Sequence, residues 1–251
     1  MRHACSAALA VAAIFFVYRP IASAQSPAPS AGAKAPAVAD HVPDLSGVWR
    51  ENAPAGARAY SGFAFTKEEP PMTPWAEAKY HEAKPTFGPK AVAVEESNSP
   101  DYNCLPPGVP YIYFRPHPFE IIQGQGRVIM YFEYDHFVRE VFTDGRKHPD
   151  DLDPSWMGHA IGHYEGDTLV VDTIGFNDKT WLDRVGHPHS DQLHLVERFR
   201  RVDHNTLTDD LTIEDPKAYT KPWSAQLIFQ LRPQWDIGEF ICEEMLYAGH
   251  K

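Results

Sequence analysis

The chain has 251 residues, of which 43% are hydrophobic and 12% aromatic, and its formal net charge is −11. A chain this acidic repels nucleic acid and anionic lipid, and the sequence holds no basic run interleaved with aromatic residues that would reverse this. We therefore expect no nucleic-acid partner, and a single folded domain with a full hydrophobic core.

The first 24 residues have the layout of a secretory signal peptide. A short basic start, Met1-Arg2-His3, precedes an uncharged apolar run at 4–18, and Ala22-Ser23-Ala24 is a small-x-small cleavage signal. The apolar run is shorter than the about 20 residues that a membrane-spanning helix needs, so a membrane anchor is the less favoured alternative. We expect cleavage after Ala24, export to the periplasm or the medium, and no membrane span.

Residues 25–40 (QSPAPSAGAKAPAVAD) are rich in Ala, Pro and Ser and hold almost no large apolar side chains. Such a tract cannot bury enough surface to offset its chain entropy, which predicts a disordered tether. The folded domain is then 41–251, with an irregular Pro-rich front at 41–118 and a run of strands at 119–251.

The front contains one predicted helix. Thr73 can act as its N-cap, Pro74 suits the first helical position, and residues 75–83 are mostly helix-compatible before Pro85 ends the run. Earlier in the front, Leu45-Ser46-Gly47-Val48-Trp49 is the predicted opening strand. Its Gly-x-Trp pattern resembles the entry strand of lipocalin-like barrels.

From residue 119 onward, short strands alternate with turn residues such as Asp144-Gly145 and Glu165-Gly166-Asp167. Many short strands at even spacing favour a mostly-β fold: a single antiparallel up-and-down β-barrel, with a sandwich as the alternative. The predicted strands are Phe119–Gln123, Arg127–Tyr134, Phe137–Thr143, Met157–Tyr164, Thr168–Ile174, Leu193–Val202, Leu207–Glu214, Ser224–Leu231 and Ile237–Cys242.

Two cysteines remain after removal of the signal peptide, Cys104 and Cys242. An even pair in an oxidising compartment predicts one disulfide, with two buried free thiols as the alternative. The disulfide would close a long loop, which contributes about 4–5 kcal/mol in the chain-entropy model.

A histidine and an aspartate of neighbouring strands are predicted to share one sheet face. If strand 168–174 returns through a two-residue loop, His159 lies on the same face as Asp172, because side chains alternate along a strand. A three-residue loop would separate them. His159 and Asp172 would then perform acid–base catalysis together, and the carboxylate would orient the imidazole ring. A structural histidine is the alternative.

The stretch Gly186-His187-Pro188-His189-Ser190-Asp191 (GHPHSD) is open to three interpretations. The proline step holds the chain extended, so His187 and His189 would point to the same side, as two ligands of one zinc-like divalent metal would. Acid–base catalysis and a polar structural turn are the alternatives. A third metal ligand would have to come from Asp191, His194, His148 or His159.

Two long polar connections, 144–156 and 175–190, join strands that need only a short turn, and such loops often carry function. An up-and-down meander would bring both to one rim, where tryptophans beside carboxylates and amides suit a sugar or an aromatic ligand. For His136 and Arg139, local pairing with Glu133 or Asp135 is the alternative. The predicted ligand-binding residues are His136, Arg139, His148, Trp156, Asn177, Trp181, Asp183 and Asp191.

Three stretches carry a resemblance to known sequences: 155–201, which begins SWMGHAIGHYEGD, 215–223, which reads DPKAYTKPW, and Cys242-Glu243-Glu244. They resemble a group of secreted proteins from soil bacteria for which a lipocalin-like barrel is suspected. The resemblance covers the chain from about residue 43 to its end. It implies export, the Pro-rich front and the barrel, and it carries no catalytic residues.

The sequence has no nucleophile elbow, phosphate loop, dinucleotide fingerprint, HExxH or CxxC motif, which disfavours serine hydrolases, kinases and nicotinamide enzymes. It favours an exported barrel that binds a small molecule at a mouth lined by His, Asp and Trp. As an enzyme it would be a lyase, isomerase or hydrolase that uses histidine–carboxylate acid–base or metal-assisted chemistry. A non-catalytic lipocalin-like carrier and an envelope-associated interaction module are the alternatives.

Overall fold

The computed structural model describes residues 42–52 and 64–244. The predicted signal peptide, its cleavage site and the tether lie outside these residues, so export stays a prediction from the sequence. No helix within the described ranges is long and apolar enough to cross a membrane.

Nine strands form a closed barrel in which each strand pairs with its neighbours in the chain and β9 returns to β1. The predicted mostly-β barrel is therefore confirmed. The candidate strand Ile237–Cys242 is wrong, because its one ladder contact is an isolated bridge between Phe240 and Tyr134. The strands are β1 (Gly47–Glu51), β2 (Phe119–Gly124), β3 (Arg127–Phe132), β4 (Val138–Phe142), β5 (His159–Glu165), β6 (Thr168–Ile174), β7 (His194–Asp203), β8 (Thr206–Glu214) and β9 (Trp223–Leu231).

One pair departs from the antiparallel pattern: β4 and β5 run parallel, through Val141–Ala160 and Phe142–Ile161. A closed ring of nine strands cannot alternate direction throughout, because an odd number forces a parallel pair somewhere. Since β9 and β1 are antiparallel, the parallel pair falls where the connection is long enough to cross over. That connection, 143–158, is called the crossover. Every other neighbouring pair in the barrel is antiparallel, as the predicted antiparallel barrel requires.

The strand pairing shows at which end of the barrel each of the other connections lies. Tight turns join β2 to β3, β5 to β6 and β7 to β8 at one end, the hairpin end. Segments 133–137, 175–193 and 215–222 lie at the opposite end, the loop end. The crossover starts at the hairpin end and delivers the chain to β5.

Helix α1 (Pro74–Glu82) begins as predicted and ends one residue earlier. The hydroxyl of its N-cap, Thr73, accepts the N–H of Ala76 at 3.3 Å and donates to the carbonyl of Lys217 at 2.7 Å. The second bond ties α1 to segment 215–222, so the helix lies at the loop end.

Aromatic side chains fill the barrel interior. Three 3-10 helices follow α1, and the last of them, Tyr111–Phe114, carries Tyr113 into the barrel. The ring of Tyr113 lies 5.6 Å from that of Phe119 and 5.6 Å from that of Phe229, measured between centroids. The interior is thus a packed core around Tyr113.

A charged pair lies inside this core. Arg139 points inward because it shares a face of β4 with the buried Val141. Its guanidinium pairs with both carboxylate oxygens of Glu197, and it donates to the hydroxyls of Tyr113 at 2.6 Å and Thr173 at 2.9 Å. Arg139 is fully buried and pairs with Glu197. Both predicted positions, at the mouth or beside Glu133 or Asp135, were therefore wrong.

Asp209 points into the same core from β8. Burial, together with the charge of Glu197, raises the pKa of Asp209 well above its ordinary value, although Arg139 opposes the shift. Its buried surroundings therefore favour the protonated form of Asp209. One of its oxygens accepts the N–H of Arg198 at 3.1 Å.

The Cys104–Cys242 disulfide is present, as predicted, with 5.5 Å between the two Cα atoms. It joins the front to the segment that follows β9. That segment lies along the β3–β4 turn, where the Asp135 carboxylate accepts the N–H of Cys242 at 2.6 Å. Residues 237–242 are therefore held by the disulfide and by turn contacts instead of by a strand ladder.

Breaking the Arg139–Glu197 pair from one side should cost more than removing both partners. Arg139→Met or Glu197→Gln alone leaves the other residue of the pair buried without its opposite charge. This lowers the free energy of unfolding by about 3–5 kcal/mol. The double variant leaves no unpaired charge, so its loss should fall well below the sum of the single losses. Urea unfolding of the four proteins at pH 7 measures this, and additive losses would contradict the pairing.

Candidate functional site

The GHPHSD stretch lies at the loop end, packed against α1. Gly186 has a φ of +94°, and a Cβ added there would lie 2.7 Å from the Cβ of Ala83. Both the backbone conformation and the close approach therefore require glycine. At the other end of the stretch, the N–H and hydroxyl of Ser190 donate to the Asp215 carboxylate at 2.6 and 2.7 Å. The stretch thus holds α1 and segment 215–222 together.

His187 is buried between two carboxylates. Its Nδ1 lies 2.5 Å from Asp183 Oδ2, its Nε2 lies 2.7 Å from Glu69 Oε2, and its ring stacks on that of Tyr80 with 4.7 Å between centroids. Burial alone would lower the pKa of His187, but the two carboxylates outweigh it and raise the pKa to about 9. The ring is therefore an imidazolium that donates from both nitrogens near pH 7.

His189 is buried too, but with different partners. Its Nδ1 donates to its neighbour's carbonyl, Ser190 O, at 3.0 Å, and its Nε2 accepts the hydroxyl of Thr180 at 2.6 Å. Burial lowers the pKa of His189, so the ring is a neutral base near pH 7.

The two histidines of GHPHSD do not share a contact site. His187 lines a small cavity beside Glu69 and Tyr80, whereas His189 lines a different and larger one. All four ring nitrogens are engaged in hydrogen bonds. Among the described residues no group of three or more His, Cys, Asp or Glu side chains could hold a metal ion. A metal at His187 and His189 stays a prediction from the sequence.

His159 and Asp172 share a face, as predicted, because β5 and β6 are joined by a two-residue turn and His159 pairs with Ile174. That face is the outer surface of the barrel, since the alternate residue Ala160 points into the core. Neither His159 nor Asp172 therefore points into the barrel. His148 of the crossover lies between the two side chains instead.

A chain of hydrogen bonds runs across the outer face, and we call it the histidine–carboxylate chain. His148 Nδ1 lies 2.8 Å from His159 Nδ1, and His148 Nε2 lies 2.9 Å from Asp172 Oδ1. The other oxygen of Asp172 lies 3.0 Å from His194 Nε2, whose ring reaches Glu214 at 3.3 Å. The hydrogen bond to Asp172 raises the pKa of His194, whereas burial lowers the pKa of His159.

A groove opens at the loop end. Two open cavities, of about 330 and 580 Å³, share Asp178 and Lys179 as lining residues, and together they form the rim groove. Its walls hold amides and charged side chains of both signs. Three half-buried indoles also line it: Trp75, Trp156 and Trp181.

The rim groove collects four of the predicted ligand-binding residues, Trp156, Asn177, Trp181 and Asp191, and also His189, which was predicted as a catalytic residue and metal ligand. The rest of the set lies elsewhere. Asp183 is buried beneath His187, and His148 is on the outer face. The half-buried His136 reaches the carbonyl of Gly238 at 3.1 Å.

Sequence reasoning missed several groups at these sites. Trp75 and Lys79 of α1 line the groove, and their four-residue spacing on a predicted helix was a readable signal that they share a face. Thr180 had no such signal. Neither had Glu69, which meets His187 from 118 residues away.

Protonated His187 should stabilise the fold in a defined pH window. Its folded pKa of about 9 lies above the unfolded value of about 6.5, so the contribution is full below pH 6.5 and disappears as the pH rises to 9. We expect His187→Gln to lower the free energy of unfolding at pH 6, by an amount on the order of 3 kcal/mol. At pH 9 the difference should largely disappear.

Urea unfolding of wild type and His187→Gln at both pH values measures this. Lys90, whose pKa burial lowers to about 8, contributes with the opposite sign, since its destabilising effect falls as the pH rises above about 8. The comparison is therefore made between the two proteins at each pH. An equal loss at pH 6 and pH 9 would show that the charge of His187 adds nothing.

Comparison of the chain with protein-family models, with curated proteins and with solved structures found no match. The resemblance to secreted proteins of soil bacteria stays an expectation from the sequence. The proposals that follow therefore rest on the geometry of the described side chains.

Proposed function

We propose that the protein binds a small, flat, hydroxylated molecule, a sugar or a phenolic compound, in the rim groove. The observation that carries this is the set of three half-buried indoles beside amides in one open groove. An indole face offers a large apolar contact at little entropic cost, and amides and charged groups fix the orientation of hydroxyls. The two cavities fall within the usual range of about 300–1,000 Å³ for ligand sites.

The charges around the groove fit a neutral ligand better than an ionic one. Lys79 pairs with Glu82 at 3.0 Å on the exposed side of α1. The ammonium of Lys179 lies 5.9 Å from the centre of the Trp156 ring, and that of Lys217 lies 5.0 Å from the centre of the Trp75 ring. Each of these three ammonium groups therefore already contacts a carboxylate or an indole ring of the protein.

The packed interior supports a site outside the barrel. A lipocalin-like carrier would hold its ligand within the barrel, but Tyr113 and the surrounding phenylalanines occupy that space. A ligand inside would have to displace the Tyr113 hydroxyl from Arg139 and Glu197 as well. The rim groove requires no such rearrangement.

Two further parts of the proposal rest on the same residues. An acid–base step in the groove would be performed by His189, a neutral base at the groove wall that accepts the Thr180 hydroxyl. It would belong to the lyase, isomerase or hydrolase classes. Export is part of the proposal as well, and the Cys104–Cys242 disulfide supports it, because disulfides persist in oxidising compartments.

Removing one groove indole should weaken binding, and removing a matched indole elsewhere should not. Trp156→Ala deletes a stacking face at the groove and should weaken affinity about tenfold, which corresponds to about 1.4 kcal/mol. Trp235 is 43% exposed and lies under Arg50 and Arg232, outside the groove lining, so Trp235→Ala is the control.

The measurement is saturation-transfer NMR of the full chain with a panel of mono- and oligosaccharides and phenolic acids, followed by calorimetry of each binder. Failure of the whole panel, or equal losses in Trp156→Ala and Trp235→Ala, would sink the proposal. New product signals that vanish in His189→Gln would add catalysis to binding.

A further inference from the structure

We propose that a divalent transition-metal ion binds between His148 Nδ1 and His159 Nδ1 on the outer face of the barrel. This site is separate from the rim groove and does not depend on ligand binding there. It also differs from the metal clamp that the sequence predicts at His187 and His189. Its basis is the arrangement of the two rings and of the carboxylate behind one of them.

The two Nδ1 atoms face each other. They lie 2.8 Å apart, and the ring planes of His148 and His159 meet at 69° with 5.0 Å between centroids. Two ring nitrogens at this distance either share one proton or direct both lone pairs at a common point. A bound cation takes the place of the shared proton.

Asp172 fixes the form of His148 that a metal needs. The Asp172 carboxylate can only accept, so the contact at 2.9 Å places a proton on His148 Nε2 and leaves the lone pair on Nδ1. A carboxylate behind a histidine is the usual support of a metal ligand, because it orients the ring and raises its basicity. His194 holds the other oxygen of Asp172 at 3.0 Å, which fixes that carboxylate in turn.

His159 is oriented by packing. Its ring stacks on that of Phe142, with 5.5 Å between centroids and 27° between planes. A positive group also contacts Phe142, since the guanidinium carbon of Arg146 lies 3.8 Å from the centre of the Phe142 ring. Arg146 is itself paired with Asp144, through contacts at 2.9 and 3.0 Å, which offsets its repulsion of a cation.

The geometry requires only a small adjustment. Two nitrogens about 2.0–2.1 Å from a tetrahedral ion lie about 3.3 Å apart, so the pair must open by about half an ångström. His148 belongs to the crossover, which is not a strand and can move by this amount. Both side chains are partly exposed, so water completes the coordination. Imidazole ligands select zinc, copper or nickel over magnesium and calcium.

The test is calorimetric titration of the full chain with ZnCl₂ at pH 7.5, with Co²⁺ absorption as the spectroscopic check. We expect one equivalent to bind, and MgCl₂ not to bind. His148→Gln and His159→Gln should each lose at least tenfold in zinc affinity. Asp172→Asn, which leaves both rings in place, should lose about 10–100-fold.

His163→Gln is the matched control. His163 lies on the same strand and the same face as His159, is well exposed, and pairs with Glu165 at 3.0 Å. Far-UV circular dichroism checks that every variant folds. The proposal fails if wild type does not bind zinc, if His163→Gln loses as much affinity as His159→Gln, or if His148→Gln keeps full affinity. Loss of the equivalent only in a His187→Gln/His189→Gln variant would also overturn it, in favour of the other histidine pair.

Discussion

Closure of nine strands into one ring is the constraint on which the other features depend. It forces one parallel pair, and the parallel β4–β5 pair requires the crossover 143–158. The crossover places His148 on the outer face beside His159 and Asp172. Its last residues then carry Trp156 to the wall of the rim groove. Both proposed sites therefore follow from the same topological requirement.

The interior of the barrel is filled by side chains that contact one another. Tyr113 closes it from the loop end and donates to Glu197, which also accepts from Arg139. Charged groups buried this deeply must each be paired, because an unpaired buried charge is strongly destabilising. A ligand that broke these contacts would therefore destabilise the fold. This packing is why the proposed ligand site lies in the segments outside the barrel.

The sequence predicted the barrel, the helix and the disulfide because their signals are local: alternation, a cap before a proline, and an even cysteine pair. Alternation also placed His159 and Asp172 on one face. The same alternation would have predicted that Arg139 points inward, since the apolar Val141 shares its face of the strand and is buried.

What the sequence could not supply was the partner of each polar group and the face that points inward. The extended Pro188 step was expected to align His187 and His189. Their rings are instead oriented by Glu69, far away in the chain, and by Thr180.

The position of a bound ligand tests the account most directly. The measurement is the set of indole N–H signals of ¹⁵N-labelled protein during titration with a panel compound that binds. The account predicts shifts at the groove indoles and none at Trp49, which is fully buried in the core. Shifts at Trp49 with unchanged groove signals would place the ligand inside the barrel and contradict the account.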